Sequence, residues 1–301
     1  MDKTVYLIDA MAYIFRAFYA NSPGASPAGV PTNASFGFLD FLLRLIAREN
    51  PQRMAIAFDS GPKSFRNEIY PEYKANRGVT PPELWPQFEQ CERIVEALGL
   101  PLVKVENHEA DDVLASLADL CRREGYKVII VSGDKDLAQL VDDSLTVLDP
   151  AHSRRFTPRT VRKRFGIEPV QMRDFLALVG DASDNIPGVR GVGPKTACAL
   201  LQTLPDLESI YASLDQVAAL PIRGAKSLAG RLAQQREAAY LSRELATLRR
   251  DLPLDAEAVH LEYQGASRPR CETLFAELGF MNFMPFVIRW REEGGEAGQS
   301  A

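Results

Sequence analysis

Four apolar runs in the first half of the chain end in an acid or a turn, and they constrain the fold more than any other feature. They are Thr4–Asp9 (TVYLID), Arg53–Asp59 (RMAIAFD), Leu102–Val105 and Lys127–Asp134 (KVIIVSGD). Unbroken apolar runs of this length read as strands buried in a parallel sheet. Helical patterns lie between them, clearest in Asn33–Asn50 and Glu109–Glu124. The spacing therefore predicts an α/β unit whose ligands gather where the strands end.

Residues 61–92 interrupt this rhythm, with Pro62, Pro71, Gly78, Pro81, Pro82 and Pro86 set among basic and aromatic side chains. They read as a long insertion over the sheet edge. From about Thr157 the strand signal stops, and short helices separated by Gly and Pro follow, with a longer charged helical stretch at Gly224–Arg250. The expected organisation is an α/β domain over 1–157, a helical domain over 158–251 and a segment over 252–291 that packs back on the core. The polar, glycine-rich tail Glu292–Ala301 is expected to be disordered.

Placement of the acids carries the chemistry. Asp9 and Asp59 close strands, Glu109, Asp111 and Asp112 open a helix, Asp134 and Asp136 follow a strand, and Asp181 and Asp184 lie in GDASDN. Any one of them could cap a helix or complement its dipole. Strand ends of one parallel sheet, however, point to one edge, and so many carboxylates can share it only if cations neutralise them. All the candidate ligands are hard oxygen donors, whereas His108, His152 and His260 stand apart from one another. Two magnesium ions, or manganese, fit such a site better than zinc. Paired ions of this kind suit hydrolysis of a phosphodiester.

In GDASDNIPGVRGVGPKTACALL the glycines Gly188, Gly191 and Gly193 predict a tight hairpin before a helix that starts near Pro194. Backbone N–H groups of that turn, with Lys195 and Thr196, could receive a DNA phosphate without reading bases; the alternative is a plain turn between helices.

The bulk properties fit this picture. Net charge is −5, but residues 154–250 hold sixteen Lys and Arg against nine Asp and Glu, whereas residues 1–153 hold fifteen against twenty-two. An acidic front half that holds cations thus precedes a basic segment suited to a polyanion. Cys91, Cys121, Cys198 and Cys271 show no paired spacing, so neither a disulfide framework nor a zinc site is expected. With neither a secretion signal nor a run of eighteen apolar residues, a cytoplasmic location away from membranes is the expectation.

The blocks LIDAMAYIFRAFYA, IAFDSGPKSFRNEIYPEYKANR, EADDVLASLA, VSGDKDLAQLV, GDASDNIPGVRGVGPKTA and LFAELGFMNF occur in an order that closely resembles the 5′-nuclease family. That family includes the N-terminal domain of bacterial DNA polymerase I, flap endonucleases and phage 5′-exonucleases. The resemblance implies a PIN-like parallel-sheet core with a helical arch at about 61–92, followed by a helix-hairpin-helix domain. All nine acids fall where the family places its metal ligands, with Glu109–Asp136 serving mainly the first ion and Asp181 and Asp184 the second. It further implies that Tyr73, Lys74 and Arg77 form the catalytic face of the arch, that Arg66 helps hold the strand, and that the Gly188–Thr196 hairpin can take potassium. The implied substrates are DNA with a 5′ flap, nick or free end, and RNA-primed DNA, cut by a monomer; the balance of exonuclease and endonuclease action stays open.

Ala10, Met11 and Ala12 depart from the small polar residues the family commonly carries after its first Asp. The acidic tail favours a free-standing enzyme over a domain cut from a longer polymerase. A phosphatase of the haloacid dehalogenase type would want a second Asp where Met11 stands. A PIN-type ribonuclease would not call for the long insertion or the helical extension. A non-catalytic DNA-binding relative would have no reason to keep the mutual repulsion of the acids.

Overall fold

The computed structural model describes residues 3–222, 224–254 and 261–291. The predicted disordered tail Glu292–Ala301 and His260 lie outside those residues.

Strands β1 (Thr4–Asp9), β2 (Arg53–Ala57), β3 (Leu102–Val103), β4 (Lys127–Val131), β5 (Leu145–Asp149) and β6 (Arg154–Phe156) form one sheet in the order β3-β2-β1-β4-β5-β6. All neighbouring pairs are parallel except β5 with β6. The sheet therefore reverses its winding between β1 and β4, which places a crevice beyond their carboxyl ends. The predicted strands are present, β1 over its whole run and the other three shorter than theirs. Strand β5 escaped the sequence reading because its burial alternates, and β6 because it is only three residues long.

Helices α1 (Ala10–Ala20), α2 (Asn33–Glu49), α3 (Phe65–Ile69), α4 (Trp85–Ala97) and α5 (Ala110–Arg123) belong to the sheet half. Then come α6 (Pro158–Phe165), α7 (Met172–Val179), α8 (Pro194–Thr203), α9 (Leu207–Ala212), α10 (Leu214–Ala219), α11 (Ala225–Gln234), α12 (Arg236–Ala246) and α13 (Arg268–Leu278). Local chemistry sets several ends. Asp9 caps α1 through the Ala12 N–H, and a Thr157/Thr160 capping box with Pro158 opens α6. The longer helical stretch expected over Gly224–Arg250 divides at Gln235, whose side chain is drawn to the backbone of Arg190.

One sheet face, with Ile8, Ile56 and Val131, is covered by α1, α2, α4 and α13 through Phe38, Ile94 and Phe275. The other face, with Leu7, Ala55 and Ile130, packs on Val113 and Leu117 of α5. Its apolar cluster then runs without a break through Phe175, Leu200, Leu228 and Leu245 of the helical half. The C-terminal segment returns to the sheet half, where the Tyr263 N–H donates to the Gln52 carbonyl and the Ser267 N–H to that of Ala97.

The insertion differs from the helical arch expected at 61–92. It holds the five-residue α3, turns over 71–77, a 3₁₀ turn at Pro82–Leu84 and the start of α4. Its prolines deny helical hydrogen bonds, and its basic and aromatic side chains are drawn down onto the carboxylates. Among the described residues no helix is long and apolar enough to cross a membrane.

Candidate metal centre and nucleic-acid interface

Asp9 ends β1 inside the crevice, only 5% exposed, and accepts from Ser132 Oγ at 2.7 Å and from the Ala12 N–H. Asp59 follows β2 and takes the Ala110 N–H at 2.7 Å, which ties it to the start of α5. Asp134 follows β4 and accepts from the Asp136 N–H at 2.8 Å. Glu109 caps α5 and meets Ser64 Oγ, Tyr73 Oη and, at 3.0 Å, Lys74 Nζ. From the helical half, Asp184 receives Arg77 Nη2 at 2.6 Å and Tyr73 Oη at 3.1 Å, while Asp181 is held by Ser183 and Lys135.

Electrostatics joins these groups into one site. Burial pushes Asp9 up to about 6, assisted by repulsion from Asp59 and Asp134 against the pull of Ser132 and Ala12. Burial likewise raises Asp136 to about 8, with Asp134, Asp181 and Asp184 adding to it. It also raises Asp59, Asp111 and Asp134, and Asp111 feels Asp134 and Asp9 in turn. Burial also works against ionisation of Glu109 and Asp181, yet both end below the ordinary range, Glu109 through Lys74 and Arg66 and Asp181 through Lys135 and Ser183.

Among the described residues no three acids close into a ready-made metal cage. Lysine and arginine stand between them, with Lys74 on Glu109, Arg77 on Asp184 and Lys135 on Asp181. The residues nevertheless suit a divalent cation. Their donors are oxygens, the carboxylates resist ionising together, and the buried Oδ1 of Asp136 has no hydrogen-bond partner.

Two predicted roles change. Arg66, expected to hold a strand, is 1% exposed and grips Asp112 at 2.7 and 2.8 Å while donating to the carbonyls of Leu245 and Thr247. Asp112, expected as a ligand, is fully buried, and its two oxygens also meet the Arg249 and Glu109 N–H groups. Both residues fasten α5 to the end of α12. Tyr73, implied as part of the catalytic face of the arch, is packed at 3% exposure with its hydroxyl between Glu109 and Asp184.

The insertion and the GDASDN loop clamp each other. Lys74 adopts a left-handed φ of 58° and donates its N–H to the Asp184 carbonyl at 2.9 Å. Asn76 reaches the carbonyl of Ala182, and Asn185, itself at φ 57°, reaches that of Glu72. Sequence reasoning missed Ser132, Lys135, Asn76 and Asn185. The first two were visible inside VSGDKD, Ser132 two residues before Asp134 and Lys135 between Asp134 and Asp136. A cavity of about 800 Å³ opens beside Asp59, Glu109, Lys74 and Arg77, walled by Phe15, Tyr19, Trp85 and Phe88.

The predicted hairpin is present, and its parts have different uses. Gly188 lies against backbone: a Cβ there would stand 2.7 Å from the Gly180 Cα, and its N–H is spent on Ser242 Oγ. That corrects its expected use as a phosphate donor. Gly191 sits beside Arg231 with φ of 86°, whereas Gly193 caps α8 with open space before it. Lys195 is exposed and Thr196 half-buried in the first turn of that helix.

A parallel sheet with carboxylates converging beyond its central strands, backed by a helical hairpin domain, defines the acid-cluster, resolvase-like class of α/β nuclease folds. Residues 4–166 match the family model of the 5′-3′ exonuclease N-terminal resolvase-like domain, and residues 167–269 that of the 5′-3′ exonuclease C-terminal SAM fold. The chain belongs to the 5′-3′ exonuclease family. It is 43% identical over 208 residues to the 5′-3′ exonuclease of Aquifex aeolicus, covering 69% of this chain and 72% of that one. It is also 43% identical over 295 residues to DNA polymerase I of Pseudomonas aeruginosa, covering 98% of this chain and 32% of that one. The chain thus spans about a third of the length of the polymerase relatives it matches. In fold it is similar to T5 5′-exonuclease with divalent zinc bound, at a TM-score of 0.67 and 21% identity, covering 82% of this chain and 90% of that one. The catalytic core of Rad2 in complex with DNA substrate matches at a TM-score of 0.60 and 16% identity, covering 96% of this chain and 89% of that one.

Proposed function

We propose that this chain is a structure-specific 5′-nuclease that hydrolyses DNA phosphodiesters at 5′ flaps, nicks and free ends, including RNA-primed ends, during cytoplasmic replication and repair. The observation that carries this reading is the gathering of acids from β1, β2, β4, α5 and the GDASDN loop around the cationic side chains of one inserted segment.

Glu109, Asp111, Asp134 and Asp136, with Asp9 and Asp59, would hold one magnesium or manganese ion, and Asp181 and Asp184 a second. When bound, such a pair activates water and stabilises the leaving oxygen. The chain's own part is binding and positioning. Lys74 and Arg77 bring positive charge to the scissile phosphate, and Tyr73 fixes the carboxylates it touches. The aromatic walls of the adjoining cavity suit unpaired bases at the 5′ end. Gly193, Lys195 and Thr196 at the start of α8 grip a backbone phosphate of the duplex, where potassium can assist.

The test is cleavage of end-labelled flap, nicked and blunt duplexes with magnesium, with and without chelator. Chelator-sensitive cutting that favours flaps and nicks supports the reading, and intact DNA in every lane overturns it.

A further inference from the structure

We propose a second phosphate site on the outer side of α1 and α2, where the sheet half holds a backbone phosphate of the DNA away from the cleavage cavity; this rests on the functional reading above. Helix α1 stands between two cavities. Met11, Phe15 and Tyr19, four residues apart, face the cleavage side, whereas Tyr13, Arg16, Ala17 and Ala20 line a separate cavity of about 320 Å³. That cavity forms beside a close helix crossing, where a Cβ on Gly37 would stand 2.7 Å from that of Ala17.

The pocket is built for an oxyanion. Its base is the stacked pair Tyr13 and Phe41, with ring centroids 3.7 Å apart and planes within 8°. Tyr13 is 5% exposed, yet its hydroxyl has no hydrogen-bond partner. Burial suppresses ionisation of that hydroxyl, Asp9 and Asp149 suppress it further, and Arg16 and Arg48 act against them, so both guanidinium groups lie within electrostatic reach of it. Arg16, Arg44 and Arg48 all line the cavity, and the acid among its lining residues is Asp40. Asp40 takes Arg44 by Nε, and Glu49 takes Arg48 by Nε at 2.7 Å, which leaves the Nη nitrogens of both arginines to turn to a ligand. An unspent hydroxyl donor with planar guanidinium forks lining the same cavity is recognition chemistry suited to a phosphate.

The position selects DNA as its source. Asp9 caps the start of α1, so Tyr13 lies about 6 Å and Ala20 about 16 Å further along the axis. On the functional reading, DNA bound near Asp9 brings a chain of phosphates to that end of α1.

The experiment first establishes that the wild type cleaves a 5′-flap duplex with magnesium and binds it with calcium; failure there sinks the functional reading and not this site in particular. Binding is then measured by anisotropy for Arg16→Gln and for the double variant Tyr13→Phe/Arg16→Gln. Arg16 is an exposed side chain, so its replacement should leave the melting temperature unchanged and provides the readout even if the double variant is unstable. Affinity should fall about five- to tenfold, and the slope of log K against log salt should flatten by about 0.9 for one lost phosphate contact. A methylphosphonate scan of the flap duplex should find one position that weakens the wild type but not Arg16→Gln. Equal affinity and slope, or a flat scan, overturns the proposal. Should millimolar inorganic phosphate stabilise the wild type and not the variants while the scan stays flat, the pocket takes a free anion and the DNA assignment falls.

Discussion

Arg66 and Asp112 form a buried, two-pronged ion pair, with Nη1 and Nη2 2.7 and 2.8 Å from the two carboxylate oxygens, beside Glu109 of the proposed metal centre. Removing one partner strands the other charge in a dry interior, so Arg66→Ala should destabilise the fold by roughly 3–5 kcal/mol. Urea denaturation of both single variants and the double variant checks this. The double variant should lose clearly less than the sum, and strict additivity would mean that the pair is not coupled.

Asp134→Ala and Asp184→Ala should abolish cutting while leaving most of the affinity for a flap duplex measured in calcium. These acids face the crevice rather than the duplex grip. Wild-type turnover in both variants would remove the proposed centre.

Lys74→Ala should lower kcat roughly a hundredfold with little change in DNA affinity, the usual cost of losing one preorganised charge at a transition state. Single-turnover kinetics separates the two effects. Weakened binding at unchanged turnover would reassign Lys74 to docking.

Metal-free stability should fall as pH rises from about 5 to 8. Asp9 and Asp136 have folded-state values of about 6 and about 8, above those of an unfolded aspartate. In this window the folded chain therefore binds more protons than the unfolded one, and ionising them works against folding. The lowered Glu109 and Asp181 act in the opposite sense, but in a more acidic window. Thermal melts in chelator at pH 5.5 and 8 measure the trend, and added magnesium should raise the melting temperature more at pH 8. A melting temperature that climbs with pH in chelator would contradict it.

Gly188→Ala should destabilise the hairpin, whereas Lys195→Ala should leave stability unchanged and flatten the salt dependence of DNA binding by about 0.9. Melting curves and anisotropy titrations separate the packing glycine from the phosphate contact.

Much of this architecture was legible in the chain because it depends on periodicity and on acids at strand ends. Asp9, Asp59 and Asp134 lie where β1, β2 and β4 run out, and no tertiary detail could move them elsewhere. Arg66 and Asp112 were misread for the opposite reason. A charged residue in a basic segment and an acid in an acidic cluster resemble their neighbours in sequence, and only packing shows that they neutralise each other. The compact insertion was also hidden. Its prolines announced irregular backbone, but its path is set by Lys74, Asn76 and Asn185 meeting partners more than a hundred residues away.

The apolar cluster that runs unbroken from beneath the sheet into α7, α8, α11 and α12 makes the two halves behave as one solid block. A duplex seated at Gly193 would then meet the blade at a set offset, the way timber meets a saw against a bolted fence. Where the cut falls, counted in nucleotides from the junction, would be dictated by the dimensions of the protein and not by the letters of the DNA.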